Sequence, residues 1–547
     1  MKIVAAVFAD FEQTFLGGPS QLCAPLHGRT VLARTLGRLM SVTGLAGRCL
    51  YVQPRDEAAA KAAVQDLALA DAVDVLPLDD GVRRRLNLLR SARKWNLQAW
   101  RGSPLGTTWF DEFVEPLRVA RVLERCGGDA VLCLDGHQPL LDVAVTNGML
   151  ARQRDCRDEA DLVFTQAAPG LAGISLSREI VQRLLEQDIP LGILLAYRPE
   201  LARGDLINQP ACYQVDPAMC QTPGRFTADT RRSRELLSAA LAELGNEPDT
   251  GDLCAWFSQP ANGPAGRLPL EVELELTTDD PLPDTTLRPR GARVPARCLR
   301  DLDTVTRLGE ELAEYDDRLV VLGGHGDPLA HPEFAEVCRR LRSAGVCGLA
   351  VVTPLVELSD ENLEALLVNQ ADMLQVRVDA GTPETYQTLH GADCLERVLA
   401  NLARIEEQRR ARLSPQPIIA CSLTRCAATL GELETFYDRW IPATGWAVIE
   451  GYNDYCGALP PDTLLPTKPA LREGCRRLRA RLMLLANGRV VLCQQDFRGQ
   501  HELGRWDTQS LEDVWSGGEL AGVRTAHAEL ALAGLPMCGR CTEWYRP

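Results

Sequence analysis

From Leu268 onward the chain alternates short apolar strands with helical stretches, and this alternation limits the architecture more than any other feature. In residues 270–276, Leu270, Val272, Leu274 and Leu276 share one face while Glu271, Glu273 and Glu275 share the other. Further strand patterns follow at RLVVLGG, GLAVVT, MLQVRV and QPIIACSL. PEFAEVCRRLRSAG, SDENLEALLV and CLERVLANLARIEEQRRARL read as the helices between them. Strand–helix units in series require crossovers, so residues 268–455 should form a parallel sheet, open or curled into a barrel. Residues 1–220 repeat the theme from KIVAAVF through GRCLYVQ, AVLCL and ADLVFT, which predicts a separate layered α/β domain. Residues 221–267 read as a Pro- and Gly-rich linker holding one helix, RRSRELLSAALAEL, with the main break at 258–266.

A length of 547 residues fits two to four domains. The formal charge of −15 argues against nucleic acid as a partner, because a cationic surface is needed to displace its counterions. No stretch is long and apolar enough to span a bilayer, and MKIVAAVFADF reads as a first buried strand rather than a leader. The 19 cysteines, odd in number and scattered through apolar runs, then read as cytoplasmic thiols or metal ligands rather than disulfides.

The last section, 456–547, is short, rich in Cys and weakly periodic, so a metal staple suits it. Cys475 precedes an apolar run, an Asn487-Gly488 turn and a second apolar run ending at Cys493. That is a hairpin pattern, and the closing MCGRC adds Cys538 and Cys541 with a shared bite. Four thiolates suit either tetrahedral zinc or a cubane iron–sulfur cluster. The bland alternative is four unrelated buried thiols.

The spacing of Cys475, twelve residues, Gly488, four residues and Cys493 resembles the opening of the SPASM/twitch module of radical SAM proteins. Gly504, Leu511, Trp515 and LPMCGRCTEW fit the same module. The resemblance implies one [4Fe–4S] cluster on Cys475, Cys493, Cys538 and Cys541, and a partial (β/α)6 TIM-like barrel before it. LGGHGDPLAHPEF is similar to the turn of that family that contacts S-adenosylmethionine, with Gly324, Gly326 and Asp327 as counterparts. VRVDAGTPETYQTLHG is similar to a later strand centred on Asp379. Where the family carries CxxxCxxC, however, this chain reads TTDDPLPDTTL. Carboxylates and hydroxyls are hard ligands unsuited to a cubane, and Cys298 alone cannot replace three thiolates. Cleavage of S-adenosylmethionine is therefore not expected.

VFADFEQTFLGGPSQLCAPLHGRTVLARTLGRL resembles the start of a GT-A-like nucleotidyltransferase of the cytidylyltransferase type. The resemblance implies a triphosphate cradle at Gly17, Gly18 and Ser20, a nucleotide with Mg²⁺ as ligand, and a following helix. The family's two phosphate-neutralising cations are replaced by Gln21 and 23–25. In CLDGHQPLLD, His137 stands where the family has a Mg²⁺-binding acid, leaving Asp135 and Asp142 to compensate. The loop bearing Arg93, Lys94, Trp95, Trp100, Arg101 and Trp109 suits either a nucleotide site or plain packing. Two functions stay open. One is a non-catalytic iron–sulfur protein whose barrel binds a protein or small-molecule partner or carries electrons. The other is a nucleotidyltransferase acting on a sugar or surface-polysaccharide precursor.

Overall fold

The computed structural model describes residues 1–78, 83–196, 204–259, 262, 266–369, 371–464 and 468–546. The chain divides into two compact units, Met1–Gly266 and Arg267–Pro547.

In the first unit the described strands form one sheet. Its order is Asp74–Pro77, Gly47–Val52, Ile3–Phe8, Ala130–Asp135, Ile174–Ser177 and Leu162–Val163. The first four run parallel, and Ile174–Ser177 is antiparallel to both of its neighbours. Ile3–Phe8 (IVAAVF) is buried along its whole length, as a central parallel strand covered on both faces must be. Its even and odd residues feed two different apolar clusters. Strand order reverses beside it, between Gly47–Val52 and Ala130–Asp135, so the crevice at the carboxyl ends of these strands is the natural ligand position.

The segment expected to be a linker from 221 contains two helices, Arg231–Leu244 and Thr250–Ser258. Leu237, Leu241, Trp256 and Phe257 from them pack with Leu26, Val31, Leu140 and Met149 of the first unit. Prolines and glycines mark the turns around these helices rather than a free tether. Most of the 258–266 break lies outside the described residues.

In the second unit the described strands form a sheet in the order Ala447–Gly451, Ile418–Arg425, Met373–Arg377, Gly348–Thr353, Leu319–Gly323 and Glu271–Glu275, all parallel. Helices such as Leu302–Leu312, Phe334–Ala344 and Leu395–Ala411 make the crossovers. The sheet continues past Glu271–Glu275: Arg481–Leu484 pairs parallel with it, followed by antiparallel Arg489–Val491 and Gly504–Arg505. The Cys-rich section is thus stitched to the barrel edge by a ladder, and residues 268–455 and 456–547 form one unit.

Candidate functional site

The hairpin expected at Asn487-Gly488 is present, with Met483 opposite Val491. Gly488 has φ 88°, and a Cβ there would lie 2.1 Å from Asp507 Oδ2, so only glycine fits the turn. Cys475 sits just before the short turn Arg476–Arg479, and Cys493 follows the hairpin's second strand. Cys538 and Cys541 lie in and after the helical turn Pro536–Arg540. All four thiols line one cavity, together with Arg477, Gln495, His527 and Trp544. Arg472 fixes the terminal knuckle by donating to the carbonyl oxygens of Cys541 (2.9 Å) and Cys538 (2.7 Å).

Burial pushes the Cys493 and Cys538 thiols up to about 12 and raises Cys475 as well. A hydrogen bond from Cys456 instead brings Cys541 down to about 7. Among the described residues no three His, Cys, Asp or Glu side chains close on a single metal point. The donor set itself fits an iron–sulfur group: soft sulfurs, two nearby guanidiniums to balance thiolate charge, and few competing hard ligands.

The mouth of the barrel is filled quite differently. Arg288 donates to Asp379 Oδ2 at 2.7 Å, and Thr424 Oγ1 donates to Asp379 Oδ1 at 3.1 Å. Arg290 pairs with Asp280 at 2.6 Å and also donates to the Gly324 carbonyl. Arg297 grips both Glu275 oxygens, and His325 Nδ1 lies 2.8 Å from Glu275 Oε2. All these charged groups are buried except Asp280, whose side chain is nonetheless only 4% exposed.

The glycines serve the chain's own approach. A Cβ on Gly326 would lie 2.4 Å from the Thr277 carbonyl oxygen, and one on Gly324 would lie 2.8 Å from Glu275 Cβ. Asp327 donates its N–H to the Asp279 carbonyl and accepts from Leu329 N at 3.1 Å. The loop after the first barrel strand therefore lies on Gly324, Gly326 and Asp327 where the resemblance implied a ligand. Cys298, the nearest thiol, is exposed.

Burial, and then the neighbouring Asp280, raise the Asp327 carboxyl to about 7. The folded chain thus holds this proton more tightly than the unfolded chain, whose value is 3.8. Stability is greatest below the unfolded value and falls as pH rises through about 7. Three pH units at about 1.4 kcal/mol each cap the loss near ~4 kcal/mol. Asp327→Asn keeps the acceptor for Leu329 but cannot ionise. It should flatten the pH dependence between about 4 and 7 and gain about 2 kcal/mol over wild type at pH 8. Denaturant midpoints at pH 5 and pH 8 check this, and parallel pH profiles for the two proteins would refute it.

In the first unit a cavity of about 430 Å³ opens at the carboxyl ends of Ile3–Phe8, Gly47–Val52 and Ala130–Asp135. Gln13, Thr14 and Phe15 line it, whereas Gly17, Gly18 and Ser20 do not. The loop closes on itself: Thr14 N donates to Gly18 O, Gly17 N to Thr14 O and Ser20 N to Glu12 O. The amides of Gly17 and Ser20, two of the three residues expected to cradle a phosphate, are thus spent within the loop. Cations arrive instead from elsewhere, as Arg55, Arg90 and Arg118.

Asp142 caps the helix Val143–Asp155 and accepts from Thr250, so it is a structural acid. Asp135 Oδ1 sits 2.9 Å from His137 Nδ1. Burial disfavours the imidazolium, yet Asp135 outweighs it and holds His137 above its ordinary value. The Trp–Arg loop packs rather than opens: Trp100 and Trp109 join the core, and Arg93 is buried against Glu112.

Residues 475–542 match the family model for SPASM, an iron–sulfur cluster-binding domain. The second unit ends in a SPASM domain. Over 51% of its length the chain is similar to an uncharacterised protein of Treponema pallidum (strain Nichols), 26% identical over 299 residues that cover 79% of the relative. Among solved structures, Streptococcus suis SuiB bound to precursor peptide SuiA is 12% identical. That match covers 63% of this chain and 80% of that one at a TM-score of 0.41. A cytidylyltransferase from Leptospira borgpetersenii is 13% identical over 48% of this chain and 96% of that one, at a TM-score of 0.34. Both scores are too low for the likeness to bear on the chemistry of this chain.

Sequence reasoning missed several groups around the SPASM cavity. His527 Nδ1 accepts from the Cys475 N–H at 3.2 Å, which leaves the proton of a neutral ring on Nε2. That Nε2 is buried without a partner among the described residues. Its helix, Gly518–Ala528, has no local pattern that would mark the residue.

Proposed function

We propose that the second unit is an iron–sulfur carrier, holding one [4Fe–4S] cluster on Cys475, Cys493, Cys538 and Cys541. Its barrel is a scaffold for partner binding or electron transfer rather than a site for cleaving S-adenosylmethionine. Bound there, the cluster would supply one-electron transfer. The observation that carries this reading is the contrast between the two ends of the unit. Thiols gather at the SPASM cavity, while buried Arg288–Asp379 and Arg290–Asp280 pairs stand in the barrel mouth. A buried pair is costly to break, so the mouth is not a site that empties readily for a cofactor.

The test is anaerobic metal and sulfide analysis, followed by incubation with S-adenosylmethionine and a reductant. About four irons and four sulfides per chain, with no 5′-deoxyadenosine formed, agree with the reading. A second cluster's worth of iron, one zinc per chain, or 5′-deoxyadenosine above background would each overturn it.

A second reading concerns the first unit, as a nucleotidyltransferase acting on a sugar or surface-polysaccharide precursor. The three guanidiniums lining the 430 Å³ cavity favour a phosphate-bearing ligand there. Calorimetry with nucleoside triphosphates and Mg²⁺ decides it: no heat of binding with any of them removes the reading.

A further inference from the structure

We propose that His137 is a phosphate-binding residue of the first unit's cavity, holding its ligand with the neighbouring guanidiniums and without a divalent cation. The proposal rests on the reading of that cavity as a site for a phosphate-bearing ligand. His137 comes just after the strand Ala130–Asp135, at the carboxyl end where the strand order reverses. The turn that sets it there is tight. A Cβ on Gly136 would lie 2.8 Å from Leu22 Cδ2, and Thr35 Oγ1 donates to the Gly136 carbonyl at 2.8 Å.

Every polar atom of His137 but one is taken. Its N–H donates to Asp135 Oδ1 at 2.7 Å, and its carbonyl accepts from Ala228 N at 2.8 Å. Nδ1 lies 2.9 Å from the same carboxylate oxygen, which can only accept, so Nδ1 carries a proton. Nε2 alone has no hydrogen-bond partner among the described residues, in a side chain that lines the cavity and belongs to a residue 4% exposed. A buried ring nitrogen is costly to leave unpaired, and this one calls for a partner inside the cavity.

The other lining groups say what that partner is. Arg90 donates to the Phe15 carbonyl and to Gln13 Oε1, both uncharged, and Arg118 lies over the Tyr51 ring. A phosphate oxygen suits the guanidiniums, and it shares one proton with Nε2 whichever of the two brings it. Asp135 balances the charge of the ring when that proton sits on nitrogen. Mg²⁺ does not fit the same place. The lining acids are committed: Asp10 to Arg55, Glu112 to Arg93 and Arg225, and Asp135 to His137. Against three guanidiniums they leave no surplus of negative charge, and an imidazole nitrogen is a poor ligand for so hard a cation.

The test is equilibrium dialysis of the full chain against labelled inorganic pyrophosphate, in excess chelator and again with Mg²⁺. Wild type should bind in chelator, with Mg²⁺ tightening binding by no more than about threefold. His137→Asn keeps a donor near the Nδ1 position but loses Nε2. It should bind roughly 10- to 100-fold more weakly, the loss of one charge-assisted hydrogen bond. His137→Gln, whose amide reaches the Nε2 position, should stay within about fivefold of wild type. An NMR spectrum of wild type with labelled histidine nitrogens guards against a misfolded variant. One Nε2 resonance, missing from His137→Gln, should shift when pyrophosphate is added. No binding under either condition overturns the proposal and, where nucleoside triphosphates also give no heat, the phosphate reading with it. Binding only with Mg²⁺, a folded His137→Asn at wild-type affinity, or bound pyrophosphate that moves no histidine resonance overturns the proposal alone.

Discussion

Cys475→Ala should hold less than about a tenth of the wild-type iron and sulfide, and should lose the brown absorbance. Cys475 is held in place by its backbone. Its N–H donates to His527, and the next amide, Arg476 N, donates to the Trp544 carbonyl at 3.1 Å. Six residues on, Arg481–Leu484 is laddered to the first barrel strand. A cubane with three fixed thiolates and no fourth is open to water and oxidant, so most of the cluster should be lost rather than merely shifted. The terminal knuckle should loosen as well, since two of its thiols would lose a shared ligand. Hydrogen exchange over residues 530–546 should rise while the barrel strands stay protected. Wild-type iron content in this variant would mean that the thiols do not act as one site.

What could be read beforehand was local. The alternation of strands and helices, the Asn487-Gly488 hairpin and the closing CxxC depend on residues close in sequence. What escaped depends on residues far apart. Arg481–Leu484 joins Glu271–Glu275 across some two hundred positions, and no pattern in either strand names its partner. Arg288 and Asp379 are 91 residues apart, so a loop of acids and hydroxyls looked empty when its arginines were already spoken for. In residues 221–267 prolines and glycines punctuate the sequence and suggest a tether, while Phe226, Leu241 and Trp256 do the packing. Gly17, Gly18 and Ser20 had the right composition for a phosphate loop, but composition does not say which way a backbone amide points. For the aromatic loop the two readings differ only in burial, and Trp109 at 2% exposure settles it as core.

Arg225→Met should destabilise the first unit by about 3–5 kcal/mol, the usual cost of leaving a buried charge without its partner. Arg225 is 3% exposed and donates to both Glu112 and Asp229, with a further hydrogen bond to the Leu97 carbonyl at 2.8 Å. Arg93, equally buried, donates to Glu112 at 2.8 Å. Two guanidiniums thus balance two carboxylates inside the unit. They tie the helix Arg83–Arg93, the turn Trp109–Glu112 and the approach to Arg231–Leu244 to one another. Burial works against the charged form of Asp229, yet Arg225 outweighs it and holds the carboxyl well below its usual range. With methionine in place of Arg225, Asp229 keeps Thr227 and the nearby imidazole of His137. Lysine should rescue little, because one ammonium cannot bridge two carboxylates and a carbonyl in that fork. Asp229→Asn added to Arg225→Met should recover about 1–2 kcal/mol, since it removes the stranded charge. Denaturant unfolding measures the loss, and native-state hydrogen exchange assigns it to peptides of 1–266 rather than 267–547. A loss below about 1 kcal/mol would show that the quartet adds little beyond an apolar replacement of the same volume, as some buried ion pairs do.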